Sequence, residues 1–273
     1  MKFQLYIDGA FCDGAKGGRI ECVNPSDETV WNTVPEATNE DVDRAVNAAH
    51  RAYSEGPWAE MPPSARGKCL YRLGNLLEEH AEDFAEVESK DSGKILRETA
   101  AQCRYMADYL RFYAGMADKV TGQTLAHDKP DMICMTVREP LGVVAAVVPW
   151  NSQIFLTCVK LGPALAMGNT IVIKASEDAP CPVLKFSELV DKAGFPAGVV
   201  NIIAGFGPTC GARLTSHPKV ARVAFTGGVE AARNVVRNTA DNFALLTLEL
   251  GGKAPVLVFD DANLESAANG VVA

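Results

Sequence analysis

From Gly142 onward the chain repeats one pattern five times. "GVVAAVVP", "TIVIK", "VVNIIA", "ARVAFTG" and "ALLTLEL" are short aliphatic or β-branched runs, each followed by turn residues. Between them lie segments with helical spacing: Ile154 to Met167, Pro182 to Ala193, Thr209 to Thr215 and Val229 to Thr239. Strands that each return through a helix pair in parallel by right-handed crossovers, with helices over the sheet faces. The expected fold is α/β, a Rossmann-like open parallel sheet of about five strands flanked by helices. Gly168-Asn169 and Gly194 stand where two of the helices should end, in residue types suited to a left-handed cap.

The N-terminal half reads differently. "FQLYI", "GRIECVN" and "TVWNTVP" are short strands divided by "DG" and "NPSD" turns, which predicts a small antiparallel unit. Thr38 with Asp41 three residues on opens a helix in capping-box fashion, and Val42, Ala45, Val46 and Ala49 fall on one face. Pro63-Ser64 starts a second helical stretch, "ARGKCLYRLGNLLEEHAEDFAEVESKD", with Leu70, Leu73, Leu76 and Leu77 on one side. A third, "ETAAQCRYMADYLRFYAGMADKV", carries Met106, Leu110 and Tyr113. These charge-laced helices read as solvated covers over a core.

Composition narrows the function classes. With 273 residues, 48% hydrophobic and 22% charged, the chain has the balance of a folded globular protein. A net charge of −8 argues against nucleic acid and anionic membrane surfaces as partners. No apolar run has the length of a signal-peptide core or a bilayer span. The eight cysteines are scattered without a CxxC pair or a Cys/His cluster, so no metal site and no disulfide framework are expected. Reduced, mostly buried thiols fit a cytoplasmic protein.

In open α/β sheets ligands bind beyond the carboxyl ends of the strands. Here those ends are Pro149-Trp150-Asn151, Lys174-Ala175-Ser176-Glu177, Gly205-Phe206-Gly207, Phe225-Thr226-Gly227-Gly228 and Glu249-Leu250-Gly251-Gly252. Five ends that collect glycines, a lysine and an isolated carboxylate predict a dinucleotide-sized crevice. "GFGPTCG" is one residue too long for G-x-G-x-x-G and reads as a loop by itself; no P-loop motif is present. Gly227-Gly228 opens a helix whose free N–H groups suit a pyrophosphate. Lys174 suits either ribose hydroxyls or a salt bridge at the strand end. Glu177 suits either a ribose hydroxyl, in which case it repels a 2′-phosphate and favours NAD over NADP, or an exposed loop position. Glu249 sits in an otherwise apolar run, and neighbours of that kind should raise its pKa.

"VVPWN", "LGPALAMGNTIVIKASE", "AGFPAGVVNIIAGFGPTCG", "VAFTGG" and "TLELGGKAP" together resemble the aldehyde dehydrogenase superfamily in order and spacing, over most of residues 141–259, and the upstream hairpin-then-helices segment fits it too. The resemblance implies NAD-dependent oxidation of an aldehyde to a carboxylic acid through a cysteine thiohemiacetal and thioester. It makes Asn151 the oxyanion donor and Glu249 the general base. It puts Lys174, Ser176 and Glu177 at the adenosine ribose and Gly207 and Gly211 at the adenine side. Phe225, Thr226, Gly227 and Gly228 fall around the pyrophosphate, and Trp150 and Leu250 on the nicotinamide half. Gly228 replaces a frequent family serine, Ala232 a glycine, and Ser152-Gln153 the usual aromatic-proline pair after the asparagine.

The same resemblance divides the chain into an N-terminal hairpin and helices of the NAD-binding domain (1–120), bridging or oligomerisation strands (121–140), a dinucleotide-binding core (141–252) and the start of a catalytic domain (253–273). It implies an aldehyde substrate and a homo-oligomer. None of the eight cysteines matches the family nucleophile, which is expected beyond Ala273. Cys158, nearest Asn151 in sequence, reads as a buried thiol in an apolar helix. Asp261 reads as the cap of a last helix, with Leu264, Ala267, Ala268 and Val271 on its apolar side. Two other readings stay open: a non-catalytic NAD-binding or assembly module, and a CoA-acylating semialdehyde dehydrogenase, against which Glu249 weighs because deacylation by a thiol needs no such base.

Overall fold

A computed structural model of the chain describes residues 1–272. Its strands in chain order are β1 (Leu5–Ile7), β2 (Ala10–Cys12), β3 (Arg19–Asn24), β4 (Thr29–Pro35), β5 (Thr124–Leu125) and β6 (Cys134–Met135). They continue with β7 (Val143–Val147), β8 (Thr170–Ala175), β9 (Val200–Ala204), β10 (Val220–Gly227) and β11 (Leu245–Leu250). The helices begin with α1 (Asn39–Ser54), α2 (Pro63–Glu79), α3 (Ala81–Ser92), α4 (Leu96–Met116) and α5 (Gln153–Ala166). After them come α6 (Cys181–Ala193), α7 (Ala212–Ser216), α8 (Val229–Asn238) and α9 (Leu264–Val272); a π-helical turn, Gly207–Gly211, runs into α7.

The five strands predicted from Gly142 onward are parallel neighbours in the order β11-β10-β7-β8-β9. The sheet has seven strands, however, because β1 pairs antiparallel with β9 and β2 with β1. "FQLYI" therefore does not join the small unit that its turns suggested; only β3 and β4 form that separate hairpin. Leu5, Tyr6 and Ile7 are all buried, without the alternation of a one-sided hairpin, and they cover an edge that β9 would otherwise leave unpaired.

Thr38 donates its backbone N–H to Asp41 Oδ2 at 2.9 Å, as its capping-box sequence predicts, and Val42, Ala45, Val46 and Ala49 of α1 are fully buried. Asp41 also accepts the N–H of Ala15 at 3.1 Å, which ties the preceding loop to the start of α1. The second helical stretch is two helices. His80 leaves helical geometry (φ −104°, ψ 16°), and the bend brings both Leu77 of α2 and Phe84 of α3 into the core. Gly168 (φ +82°) and Gly194 (φ +77°) stop α5 and α6 in the left-handed backbone foreseen for them. One core joins Leu70, Leu73, Met106 and Leu110 under the helices to Ile171, Ile173, Ile202 and Val223 of the sheet.

Two parts stand apart from that core. Hairpin β5–β6 pairs only with itself and exposes Ile133, Met135 and Val137. Helix α9 buries none of its residues. Its cap is Asn263, whose Oδ1 accepts the N–H of Ser266 at 2.9 Å, and not Asp261. Ala273 lies outside the described residues. No helix among the described residues is long and apolar enough to cross a membrane.

Candidate functional site

Parallel pairing brings the carboxyl ends of β7 to β11 to one edge of the sheet, and two adjoining cavities open there. One, of about 530 Å³, has Lys174, Glu177, Gly207, Gly211 and Phe225 on its walls and Asn234 and Val235 of α8 opposite. The other, of about 670 Å³, is lined by Trp150, Asn151, Lys160, Thr226, Gly227, Gly228, Glu249 and Leu250. Both have the size of small-molecule sites, and the β10–α8 turn lies between them. Of the residues predicted from sequence, only Ser176 lines neither cavity. Its hydroxyl instead accepts the N–H of Asp178 at 3.4 Å within the loop.

Lys174 forms the salt bridge that one of its readings allowed, and its partner Glu177 is half-buried rather than an exposed loop charge. Lys174, 3% exposed, donates from Nζ to Glu177 Oε2 at 2.6 Å, and Glu177 Oε1 accepts the N–H of Gly207 at 2.9 Å. Burial works to raise the Glu177 pKa, but the Lys174 ammonium and the Gly207 N–H outweigh it and hold the carboxyl below its ordinary value. The pair remains on the cavity wall. A Cβ on Gly207 would stand 3.6 Å from Glu177 Oε1, and one on Gly211 3.8 Å from Lys174 Cε. Side chains at these two glycines would therefore occupy the approach to the pair. Phe225 and Val147 supply an apolar wall beside it.

In the second cavity the surroundings of Glu249 differ from expectation. Among the described residues β11 is the sheet's outer strand, paired with β10 alone, and Glu249 at its open end is exposed, as are Leu250 and Gly251. Its apolar neighbours in sequence do not enclose it among the described residues. The buried charge in this cavity is one that the sequence reading passed over. Lys160 of α5 is 8% exposed and donates from Nζ to Thr226 Oγ1 at 2.6 Å. Burial pushes its ammonium down to about 8, partly offset by the negative charge of Glu249. The signal was available, because Lys160 is the only charge within "IFLTCVKLGPALA", a helix otherwise apolar.

The Asn151 turn is anchored from behind. Ser152 Oγ accepts Lys94 Nζ at 3.0 Å, and Glu88 Oε2 accepts the N–H of Ile154 at 3.2 Å in the first turn of α5. Gln153 is fully buried and turned away from the cavity. Gly228 caps α8 with extended backbone and has open space where a Cβ would stand, next to the N–H groups that the first turn of any helix leaves unpaired. A Cβ on Gly227 would lie 2.7 Å from the Phe225 ring. No cysteine lines this cavity. Cys158 is fully buried, which pushes its thiol well above the ordinary value and makes it a poor nucleophile.

A parallel sheet with a two-chambered cleft at its carboxyl edge defines a dinucleotide-binding class of fold. The chain belongs to the aldehyde dehydrogenase family, whose profile matches residues 11–273. It is 54% identical over 273 residues to a (Z)-2-((N-methylformamido)methylene)-5-hydroxybutyrolactone dehydrogenase of Acinetobacter baylyi, covering 100% of this chain and 56% of that protein. It is 42% identical over 264 residues to an aldehyde dehydrogenase of Emericella nidulans, covering 96% of this chain and 53% of that one. Its fold superposes on the NAD+ complex of an aldehyde dehydrogenase from Bacillus cereus with a TM-score of 0.95 at 40% identity, over 99% of this chain and 55% of that one. The chain thus spans about half the length of the relatives it matches.

Proposed function

We propose that this chain forms the cofactor-binding part of an NAD-dependent dehydrogenase that oxidises an aldehyde to a carboxylic acid. The observation that carries the reading is the gathering of Lys174, Glu177, Gly227, Asn151 and Glu249 on the carboxyl edge of one parallel sheet. The residues fit a nicotinamide dinucleotide. Lys174 and Glu177 would hold the adenosine ribose, with Gly207, Gly211 and Phe225 beside the adenine. Thr226, Gly227 and Gly228 would receive the pyrophosphate at the start of α8, and Trp150 and Leu250 would flank the nicotinamide. Glu177, held ionised by Lys174, would repel a 2′-phosphate, which favours NAD over NADP.

When bound, the dinucleotide supplies the hydride acceptor. Asn151 donates its side-chain N–H to the oxyanion that develops on the carbonyl, a neutral donor that does not draw a resting thiolate into an ion pair. Glu249 takes the proton of the water that hydrolyses the acyl group; its exposure on the cavity wall leaves it open to that water. The nucleophilic thiol comes from outside these residues, since no cysteine of this chain lines the cavity of Asn151. The Acinetobacter baylyi relative is named for a hydroxybutyrolactone, the ring form of an aldehyde acid, so ring-closed aldehydes fall within the proposed substrate class. The exposed apolar hairpin β5–β6 suits a contact with a second copy.

Calorimetric titration of NAD+ and NADP+ into the chain tests the cofactor assignment. NAD+ should bind more tightly, and Lys174→Ala should weaken it by about 1–2 kcal/mol, the scale of a lost charge-assisted hydrogen bond. Unchanged affinity would remove Lys174 from the contact. In a protein that supplies the thiol, Glu249→Gln should retain the NADH burst and slow steady-state turnover; loss of the burst as well would refute the role given to Glu249. NAD+ binding with no turnover even when the thiol is supplied would favour the non-catalytic module.

A further inference from the structure

Away from the cleft, hairpin β3–β4 rests on α3 and meets the first residue of α6 without joining the main sheet. Alternation along β3 turns Ile20 and Cys22 inward and leaves Arg19, Glu21 and Val23 exposed, and a register shift after Cys22 marks a bulge at that point. A bulge re-aims the side chain beside it. Cys22 Sγ meets the Sγ of Cys181, the first residue of α6, at 3.4 Å. Both residues are fully buried. Asp91, 2% exposed, completes the group, and all three ligand-type atoms lie within 4.8 Å of one another. Its two oxygens accept the Trp31 indole N–H at 3.0 Å and the Cys181 backbone N–H at 2.8 Å.

We propose that Cys22 and Cys181 are a modification site, a thiol pair that a hydroperoxide converts into a disulfide stapling hairpin β3–β4 to α6. The two sulfurs already touch, and a disulfide needs them at about 2.05 Å, an approach of little more than an ångström. Side-chain rotation on a hairpin not hydrogen-bonded to the main sheet supplies a movement of that size. Asp91, fixed by its two N–H donors, packs beside both sulfurs and holds the first turn of α6 against the hairpin. Once the hairpin opens and solvent reaches Cys181, its sulfur attacks the peroxide as the thiolate, its proton passing through water to the leaving oxygen; the O–O bond breaks, and an alcohol (water, for hydrogen peroxide) leaves with a sulfenic acid remaining. The Cys22 sulfur then attacks the sulfenic sulfur, the S–O bond breaks, and a water leaves. Two thiols are oxidised by two electrons in all, and one peroxide is reduced by two.

Burial sets the threshold. With neither thiol exposed, and burial holding the Cys181 thiol protonated, the resting pair is protected; oxidation requires the hairpin to open. The link would join positions 159 residues apart in sequence. It would also tether α6 just after the loop that carries Glu177, without touching the cofactor cavities themselves.

The test treats the native chain with hydrogen peroxide, alkylates the remaining thiols in denaturant, and maps peptides without reduction. A Cys22–Cys181 linked peptide lighter by two hydrogens and released by dithiothreitol is expected, together with a higher melting midpoint for the oxidised chain. Cys22→Ala should abolish both the link and the midpoint difference. Recovery of Cys22 and Cys181 as separate alkylated or sulfinic peptides, while the half-buried Cys12 and Cys134 are oxidised, would overturn the proposal. So would linkage of Cys22 to several cysteines at random, which reports unfolded chains. The map reads wild-type protein, so it stands even if a variant fails to fold, and it needs no NAD.

Discussion

Replacing Lys174 by Met keeps the apolar stem and removes the charge that Glu177 meets at 2.6 Å. At that separation the gross attraction is about 6 kcal/mol at an effective dielectric of ~20. Most of it is spent on dehydrating an ammonium that is only 3% exposed. What the variant reveals is the cost of leaving Glu177 alone. Losing one partner of a fully buried pair costs about 3–5 kcal/mol. The Glu177 side chain is 27% exposed and keeps the Gly207 N–H, so water and that bond recover part. A loss of about 2 kcal/mol near neutral pH is therefore expected for Lys174→Met. Adding Glu177→Gln should restore about 1 kcal/mol or more, since no carboxylate is then stranded.

The pH dependence fixes the cause. The folded-state pKa of Glu177 is depressed below the ordinary carboxyl value of 4.5. The pair's contribution is thus fully present above pH 4.5 and fades as pH falls through the depressed value. The deficit of Lys174→Met should shrink over the same window, because protonated Glu177 has no charge left to strand. Urea unfolding of wild type, both single variants and the double variant, at several pH values, measures it. A deficit under about 0.5 kcal/mol at neutral pH, the scale of an ordinary surface substitution, would refute the argument. A deficit that stays constant through the titration of the carboxylate would do the same.

Lys160→Met should raise stability near neutral pH by about 1–2 kcal/mol, after allowing for the lost Thr226 bond, while impairing any reaction that uses the cavity. The sign follows from a folded pKa of about 8 against 10.5: the cost of the buried ammonium is fully present below pH 8 and relieved as pH rises toward 10.5. Melting midpoints that converge over that interval support the assignment, and a parallel offset would contradict it. Asp41→Ala strands the N–H groups of Ala15 and Thr38 and should cost about 2–3 kcal/mol in urea unfolding; a loss within ~0.5 kcal/mol would mean that the loop before α1 repacks freely.

What the sequence disclosed follows the range of the interactions concerned. The capping pair Thr38–Asp41, the terminating glycines Gly168 and Gly194, and the alternation that makes β7 to β11 parallel are set by neighbours within a few residues or by one strand–helix–strand unit. Once those strands are parallel, their carboxyl ends must share an edge, so the clustering of Asn151, Lys174, Gly227 and Glu249 followed from local pattern alone. Ser176 lies off both cavity walls because a strand end fixes where the chain goes but not which way a loop side chain turns. "FQLYI" failed for a related reason: its partner β9 lies nearly two hundred residues on.

The charges of the second cavity carry the same point further. Glu249 among leucines looks buried in one dimension, yet burial of a strand depends on its place in the sheet order, and β11 is at the edge. Lys160 lies between a valine and a leucine in a helix that packs on β7 and β8, and there the same one-dimensional inference would have been correct. An isolated charge in an apolar run marks a position worth attention; the partner elements decide whether its solvation is lost. Here they place the perturbed group on the cation, about 8 for Lys160, and leave the carboxylate opposite it in water.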